Sequence, residues 1–273
     1  MPQRRRCGVL GDPISHSLSP VLHRAAYAAT GLDWEYDARR VPAGTLADVV
    51  GSLGEQWRGL SLTMPLKREA LPLAAEVSDA ARLAGAANTL VRSDDLTWSA
   101  GNTDIGGARA ALAERGVTAL TSATILGGGA TASSTGLALC DLGAREVRLL
   151  VRSADRAAET ASVLRSHPAR PDVVVAGLDD VVTGDVVVST IPAEAQEASL
   201  VTRCADVPVL FEVLYNPWPT PLAASAGDRV LVSGLDLLVH QAALQFALFT
   251  GLDAPLDAMR AAGEQALAAR GAS

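Results

Sequence analysis

Lys67, at the end of Leu62-Thr-Met-Pro-Leu-Lys67, and Asp104, closing Gly101-Asn-Thr-Asp104, supply an ammonium and a carboxylate. Both precede a glycine-rich turn, Gly127-Gly-Gly-Ala-Thr-Ala132. That turn lies between an apolar run and a helical pattern, as a dinucleotide site requires. An amine and a carboxylate ahead of a cofactor segment suit proton handling beside a hydride-transfer centre. Their order in the chain puts them on a domain separate from the cofactor's. Singly, each has a plainer reading: Lys67 as a solvated charge after a proline, Asp104 as the cap of the helix that begins there.

The turn carries more information. Gly127, Gly129 and Ala132 form a G-x-G-x-x-A pattern, with Gly128, Ala130 and Thr131 between them. Glycine there permits a tight turn and lets the backbone approach a pyrophosphate at a helix N-terminus. A glycine triplet alone is weak evidence. Here a strand precedes it, a helix follows, Gly143 ends that helix and a second strand comes next. An acidic residue at the end of the second strand would bind the ribose hydroxyls of NAD. Instead the chain reads Leu150-Val-Arg-Ser-Ala-Asp-Arg156. Arg152 and Arg156, with the Ser153 hydroxyl, can clamp a 2′-phosphate through charge-assisted hydrogen bonds. Asp155 falls inside the helix start rather than at the strand end. The expected cofactor is NADP, and Thr190, closing a later predicted strand, joins its binding set.

A second polar cluster lies near the N-terminus. Gly11-Asp-Pro-Ile-Ser-His-Ser-Leu-Ser-Pro20 places Ser17 and Ser19 at a strand-to-helix turn. Their hydroxyls and the nearby amides can bind a small carboxylate without an arginine; helix capping by Ser19 is the competing reading.

These residues need elements to hold them. The spacing predicts a strand over 6–10, then a helix opened by Ser19-Pro20 and stopped at Gly31. Strands at 34–40, 59–63 and 89–92 follow, separated by helices near 45–53 and 69–83. Such alternation favours an α/β domain. A helix over 102–115 leaves the first domain. Strands at 123–126, 146–151, 173–176, 185–190, 207–211 and 229–232 then read as a doubly wound sheet. Helices over 237–250 and 255–270 close the chain and are expected to pack back on the first domain.

The chain has 273 residues, 49% hydrophobic and 19% charged, enough for two modest domains. A formal charge of −7 argues against nucleic-acid binding, which needs a basic face. Arg4-Arg5-Arg6 is too short to change that and reads as a solvated terminus. Cys7, Cys140 and Cys204 are few and widely spaced, with neither a disulfide framework nor zinc spacing. No stretch approaches a membrane span, so the expected setting is the cytoplasm.

Read in order, Gly11 to Pro20, Leu62 to Lys67, Gly85-Ala-Ala-Asn-Thr-Leu90, Gly101 to Asp104, Tyr215-Asn-Pro-Trp-Pro-Thr-Pro221 and Gly234-Leu-Asp-Leu-Leu-Val-His-Gln-Ala-Ala243 resemble shikimate dehydrogenase. The resemblance spans nearly the whole chain. It implies two α/β domains: a substrate-binding catalytic domain from 1–103 plus 238–273, and a Rossmann-type, doubly wound NADP-binding domain from 104–237. The implied reaction is reversible NADP-linked reduction of 3-dehydroshikimate to shikimate, in aromatic amino acid biosynthesis. Lys67 and Asp104 match the catalytic pair, with Lys67 as proton donor. Ser17, Ser19, Thr63, Asn88 and Gln241 match substrate-binding positions, and Tyr215 lies in the segment beside the substrate. Residues 127–132, Arg152, Ser153 and Arg156 match the nucleotide region, and Gly234 is expected near the nicotinamide.

The ligand's chemistry agrees with these residue types. Shikimate is a small ring with a carboxylate and three hydroxyls, which calls for short neutral hydrogen-bonding groups. The chain departs from the family's usual G-A-G-G-A turn at Gly128, Ala130 and Thr131. It has Val151 where Asn is usual, Leu237 for a frequent Met and Glu212 for a common Asp. The competing readings are a quinate/shikimate dehydrogenase using NAD and a non-catalytic NADP- or metabolite-sensing homologue. The expected partner is the small-molecule substrate, with no nucleic acid or membrane, and a monomer or homodimer.

Overall fold

The computed structural model describes residues 4–271, leaving aside the side chain of Arg156. The chain divides into two compact units, Met1–Thr103 with Leu238–Ser273, and Asp104–Leu237.

The first unit is laid down by β1 (Arg6–Gly11), α1 (Ser19–Thr30), β2 (Glu35–Arg40), α2 (Leu46–Gly51), β3 (Trp57–Leu62), β4 (Glu76–Val77), α3 (Asp79–Ala84), β5 (Thr89–Arg92) and β6 (Trp98–Gly101). Its sheet runs β2-β1-β3-β5-β6-β4. β1 pairs in parallel with β2 and β3, whereas β5 runs antiparallel to β3 and β6. A tight turn joins β5 to β6: Asp95 accepts hydrogen bonds from the Ser93 hydroxyl and from the amide and hydroxyl of Thr97. One face buries Leu10, Leu60, Leu62, Leu90 and Ala100.

Two local expectations are corrected. The helix expected over 69–83 is divided into single 3-10 turns at Leu66–Arg68 and Leu71–Leu73, then β4 and α3. Pro72 has no N–H to give a helix. Ser78 starts a new one, its hydroxyl accepting from the Ala81 amide at 3.2 Å. At α1 the capping position is Leu18, without a side-chain cap. Ser19 is already helical, and its amide donates to the Ser17 hydroxyl at 3.3 Å. Gly31 ends α1 at φ 70°, as its position predicts.

The second unit contains most of α4 (Thr103–Glu114), then β7 (Ser122–Leu126), α5 (Ala130–Asp141), β8 (Glu146–Val151), α6 (Ala154–Arg165), β9 (Asp172–Gly177), β10 (Val186–Ser189), α7 (Ala198–Arg203), β11 (Val209–Glu212), α8 (Pro221–Ala224) and β12 (Val230–Val232). All its pairings are parallel, in the order β9-β8-β7-β10-β11-β12. This is the doubly wound order, in which the crossover direction reverses between β7 and β10. Strands covered on both faces read as continuous apolar runs, which is why Val186, Val187 and Val188 are all fully buried. α9 (Gly234–Thr250) returns the chain to the first unit, where α10 (Leu256–Gly271) packs on α1. Among the described residues no helix is long and apolar enough to cross a membrane.

Candidate active site

In the first unit, the ends of β1 and β3 bring two loops close together. The Asp12 amide donates to the Met64 carbonyl at 2.9 Å, and the Thr63 amide to the Leu10 carbonyl at 3.0 Å. Gly11 must be glycine here: an added Cβ would collide with the Thr63 side chain and stand 2.9 Å from the Met64 oxygen. Ser17 and Thr63, both half-buried, therefore belong to neighbouring loops. Lys67, also half-buried, follows in the 3-10 turn Leu66–Arg68. Its carbonyl accepts from the Ala87 amide at 2.7 Å, which ties the lysine turn to Gly85–Leu90.

Asn88 is the best-defined member of this site. It is 2% exposed, and both polar atoms of its amide have partners. Oδ1 accepts from the Thr103 amide and from the Thr89 hydroxyl, each at 2.8 Å. Nδ2 donates to Thr103 Oγ1 at 2.9 Å and to Gln241 Oε1 at 3.3 Å. The Thr103 N–H, which can only donate, settles which way the amide points. Gln241, one turn further along α9 than Leu238, holds its own amide by donating to the Leu238 carbonyl at 3.0 Å.

A second glutamine, Gln245, supports this arrangement from beneath. Its Nε2 donates to the Asn88 carbonyl and to Thr89 Oγ1, both at 3.0 Å. Its Oε1 accepts from Ser61 at 2.6 Å, and Tyr36 donates to Ser61 at 2.5 Å. His23 stacks on Tyr36 with centroids 4.2 Å apart. Full burial pushes the His23 imidazole down to about 3, so it is a neutral core residue. Thr103 and Gln245 were absent from the predicted site. Thr103 is inside the Gly101–Asp104 motif, and Gln245 follows Gln241 at the i+4 spacing that shares a helix face.

The second unit holds the other half of the predicted residues. Asp104, 6% exposed, stands in the first turn of α4. It and Lys67 fall in different units, so only Lys67 stands on a unit apart from the glycine turn, which corrects the expectation that both do. The glycine turn follows β7, at the point where the strand order reverses. Gly127 has φ 111°, a conformation that favours glycine, and an added Cβ would collide with the Thr190 hydroxyl. Thr190 itself donates to the Leu126 carbonyl at 2.9 Å, so the later strand clips the turn. Gly129 starts α5 without a side-chain cap, and nothing would meet a Cβ added there. Ala130, Thr131 and Ala132 make up the first helical turn.

This geometry fits a dinucleotide: an uncapped helix start, open space at Gly129 and a turn at the strand-order switch suit a pyrophosphate. At the end of β8, Arg152 is exposed and Ser153 half-buried, with no acidic residue between them and the strand. Arg156 lies in the first turn of α6, its side chain outside the described residues.

Tyr215 is half-buried in the loop after β11, in the same unit as the turn rather than with Ser17 and Asn88. Buried Glu212 organises that loop. It accepts from Gln196 at 2.7 Å, from the Thr220 hydroxyl at 2.9 Å and from the Leu214 amide at 3.0 Å. Burial holds its carboxyl above the usual carboxylate range, against these hydrogen bonds. Gly234 follows β12 where no side chain fits, since a Cβ would stand 2.5 Å from the Val213 and Leu214 carbonyl oxygens.

Comparison with known proteins gives one consistent result. Residues 9–90 match the family model of the shikimate dehydrogenase substrate binding domain, and residues 234–262 that of the shikimate 5′-dehydrogenase C-terminal domain. The chain is 34% identical to shikimate dehydrogenase (NADP(+)) of Streptococcus pyogenes serotype M49, over 92% of this chain and 94% of that protein. The crystal structure of Mycobacterium tuberculosis shikimate dehydrogenase superposes with a TM-score of 0.86 at 42% identity, covering 96% of this chain and 99% of that one. Quinate dehydrogenase from Corynebacterium glutamicum, solved with NAD, gives 0.86 at 27% identity, with 96% and 99% covered.

Proposed function

The chain belongs to the shikimate dehydrogenase family, and from that premise we propose that it reduces 3-dehydroshikimate reversibly to shikimate with NADPH. The observation that carries this reading is the Asn88–Thr103–Gln241 cluster, a set of short neutral hydrogen-bonding groups with one fixed orientation. Such a cluster suits a polyhydroxylated ring, because each ring hydroxyl must find a partner when it leaves water. Ser17, Ser19 and Thr63 extend the same chemistry toward a carboxylate, and Tyr215 adds a phenol from the second unit. The substrate-binding role therefore goes to residues 1–103 plus 238–273, and the cofactor role to 104–237.

When bound, NADPH would supply the hydride for the reduction, and NADP+ would accept it in the reverse direction. Residues 127–132 would hold its pyrophosphate, with Thr190 backing the turn, and Gly234 would leave room beside the nicotinamide. Arg152, Ser153 and Arg156 would hold the 2′-phosphate. Lys67 donates a proton to the oxygen that becomes the new hydroxyl, and recovers it in the reverse direction. Asp104 would act with Lys67 in the proton transfer and bind a ring hydroxyl. Preorganised charge of this kind acts on the developing alkoxide without further rearrangement.

Steady-state rates with shikimate and quinate, each with NADP and NAD, test the reading. Shikimate with NADP should be the preferred pair. A strong preference for quinate with NAD would replace it with the activity named for the Corynebacterium neighbour. Absence of turnover with all combinations would favour a sensor.

A further inference from the structure

The glycine turn is fastened to α6 by a buried hydroxyl that no part of the reaction accounts for. Thr160, fully buried on α6, donates to the Gly128 carbonyl at 2.8 Å. Its single hydroxyl hydrogen is then used, so the 2.9 Å contact with Ser133 on α5 has Ser133 as donor. Ser133 also gives its amide to the Gly129 carbonyl at 3.0 Å. One residue earlier in the turn's packing, Gly128 lies against Ala157 of the same α6: an added Cβ would come within 2.9 Å of the Ala157 Cβ and 3.0 Å of its Cα. The turn thus touches α6 through the Thr160 hydroxyl and one backbone-close contact, a helical turn apart.

We propose that Thr160 is a positioning residue for the dinucleotide: it locks the phosphate turn onto α6, so that the turn and the Arg152–Ser153 end of that helix form one rigid binding surface. The inference rests on the dinucleotide reading of this turn. Thr160 touches no ligand in this scheme. It holds the Gly128 peptide so that the amides at the start of α5 keep their direction. A pyrophosphate is common to NADP and NAD, so loss of the lock should weaken both, whereas loss of a 2′-phosphate contact should weaken one.

Calorimetric titration of the full chain with NADP+ and with NAD+ reads this directly. Thr160→Val keeps the shape and removes the hydroxyl, and should raise both dissociation constants by about tenfold. Thr160→Ser should return both to near the wild-type values. Arg152→Ala should raise the constant for NADP+ alone. Unchanged binding of both nucleotides by a folded Thr160→Val overturns the proposal while leaving the dinucleotide reading intact; a wild-type chain that binds neither nucleotide overturns both. Should Thr160→Val not fold, a second pair reads the same coupling. Gly128→Ala should weaken both nucleotides by pushing against Ala157, and adding Ala157→Gly should restore them. A double variant no better than Gly128→Ala alone also overturns the proposal.

Discussion

Lys67 owes its place to main-chain bonds on either side of it. Its turn follows Thr63, whose amide is held by Leu10, and its own carbonyl is held by Ala87. The side chain can therefore be changed without moving its neighbours. Lys67→Met should lower turnover by about a hundred- to ten-thousand-fold, the usual worth of a positioned proton donor. Shikimate should still bind, as measured by its effect on intrinsic fluorescence; turnover close to wild type would remove the lysine from the reaction. A second residue-scale prediction concerns His23, packed against Tyr27, Tyr36 and Phe249. Folded, it titrates at about 3; unfolded, near 6.5. Above that upper value it is neutral in both states and adds no pH dependence. As pH falls below it, the unfolded chain takes up a proton that the folded chain refuses, and stability declines by about 1.4 kcal/mol per pH unit. Glu212, held above its usual range, acts in the opposite sense, so comparison with a variant isolates the histidine. His23→Phe should lose less stability than wild type between pH 7 and 5, by about 2 kcal/mol in denaturant unfolding. Equal losses would mean that His23 is not held neutral.

At the scale of elements, α9 serves the site along one face, where Gln241, Gln245 and Phe249 recur at i+4 spacing. Gln241 and Gln245 reach Asn88, while Phe249 lies on β3 at Gly59. A Cβ at Gly59 would collide with the buried Phe249 ring. Gly59→Ala should therefore cost about 1–3 kcal/mol through overpacking, read as a lower urea midpoint; an unchanged midpoint would show that α9 can yield. The long elements were legible because their residues repeat a period: β1, α1, β5, β8 and the helices after Gly234 fall where pattern and punctuation put them. The segment 66–101 was less legible. Pro72 and Ser78 break a run that reads as helix by apolar spacing. β4 has no pattern of its own at its length, and β6 acquires strand geometry by pairing with β5 on one side and β4 on the other.

At the scale of the whole chain, two sheets divide the chemistry. The mixed sheet carries the neutral polar cluster around Asn88, and the parallel sheet carries the glycine turn at its switch point. Each has its own buried core, Leu60 and Leu90 in one, Leu126, Val187 and Leu210 in the other. If 104–237 binds NADP, the nucleotide should stabilise the folded chain by mass action, by about 2.7 kcal/mol at a hundredfold excess over its dissociation constant. Calorimetric scans at equal nucleotide concentration should show a larger rise in melting temperature with NADP+ than with NAD+. An equal rise would remove the argument from Arg152.

Sequence alone determined the class of fold, the family and the residue types of the site, because ordered motifs and the spacing of glycines survive as a string. Composition likewise set the acidic balance of the chain. Tertiary structure decided how those residues are held. The orientation of Asn88 depends on Thr89, Thr103, Gln241 and Gln245, drawn from the start of β5, the start of α4 and a helix more than a hundred residues away. The hold of Thr160 on Gly128 depends on α6 lying against the turn. Neither contact has a sequence period. Both are products of chain crossings that bring distant backbones within hydrogen-bond reach, and burial then requires each polar group to find the partner it has.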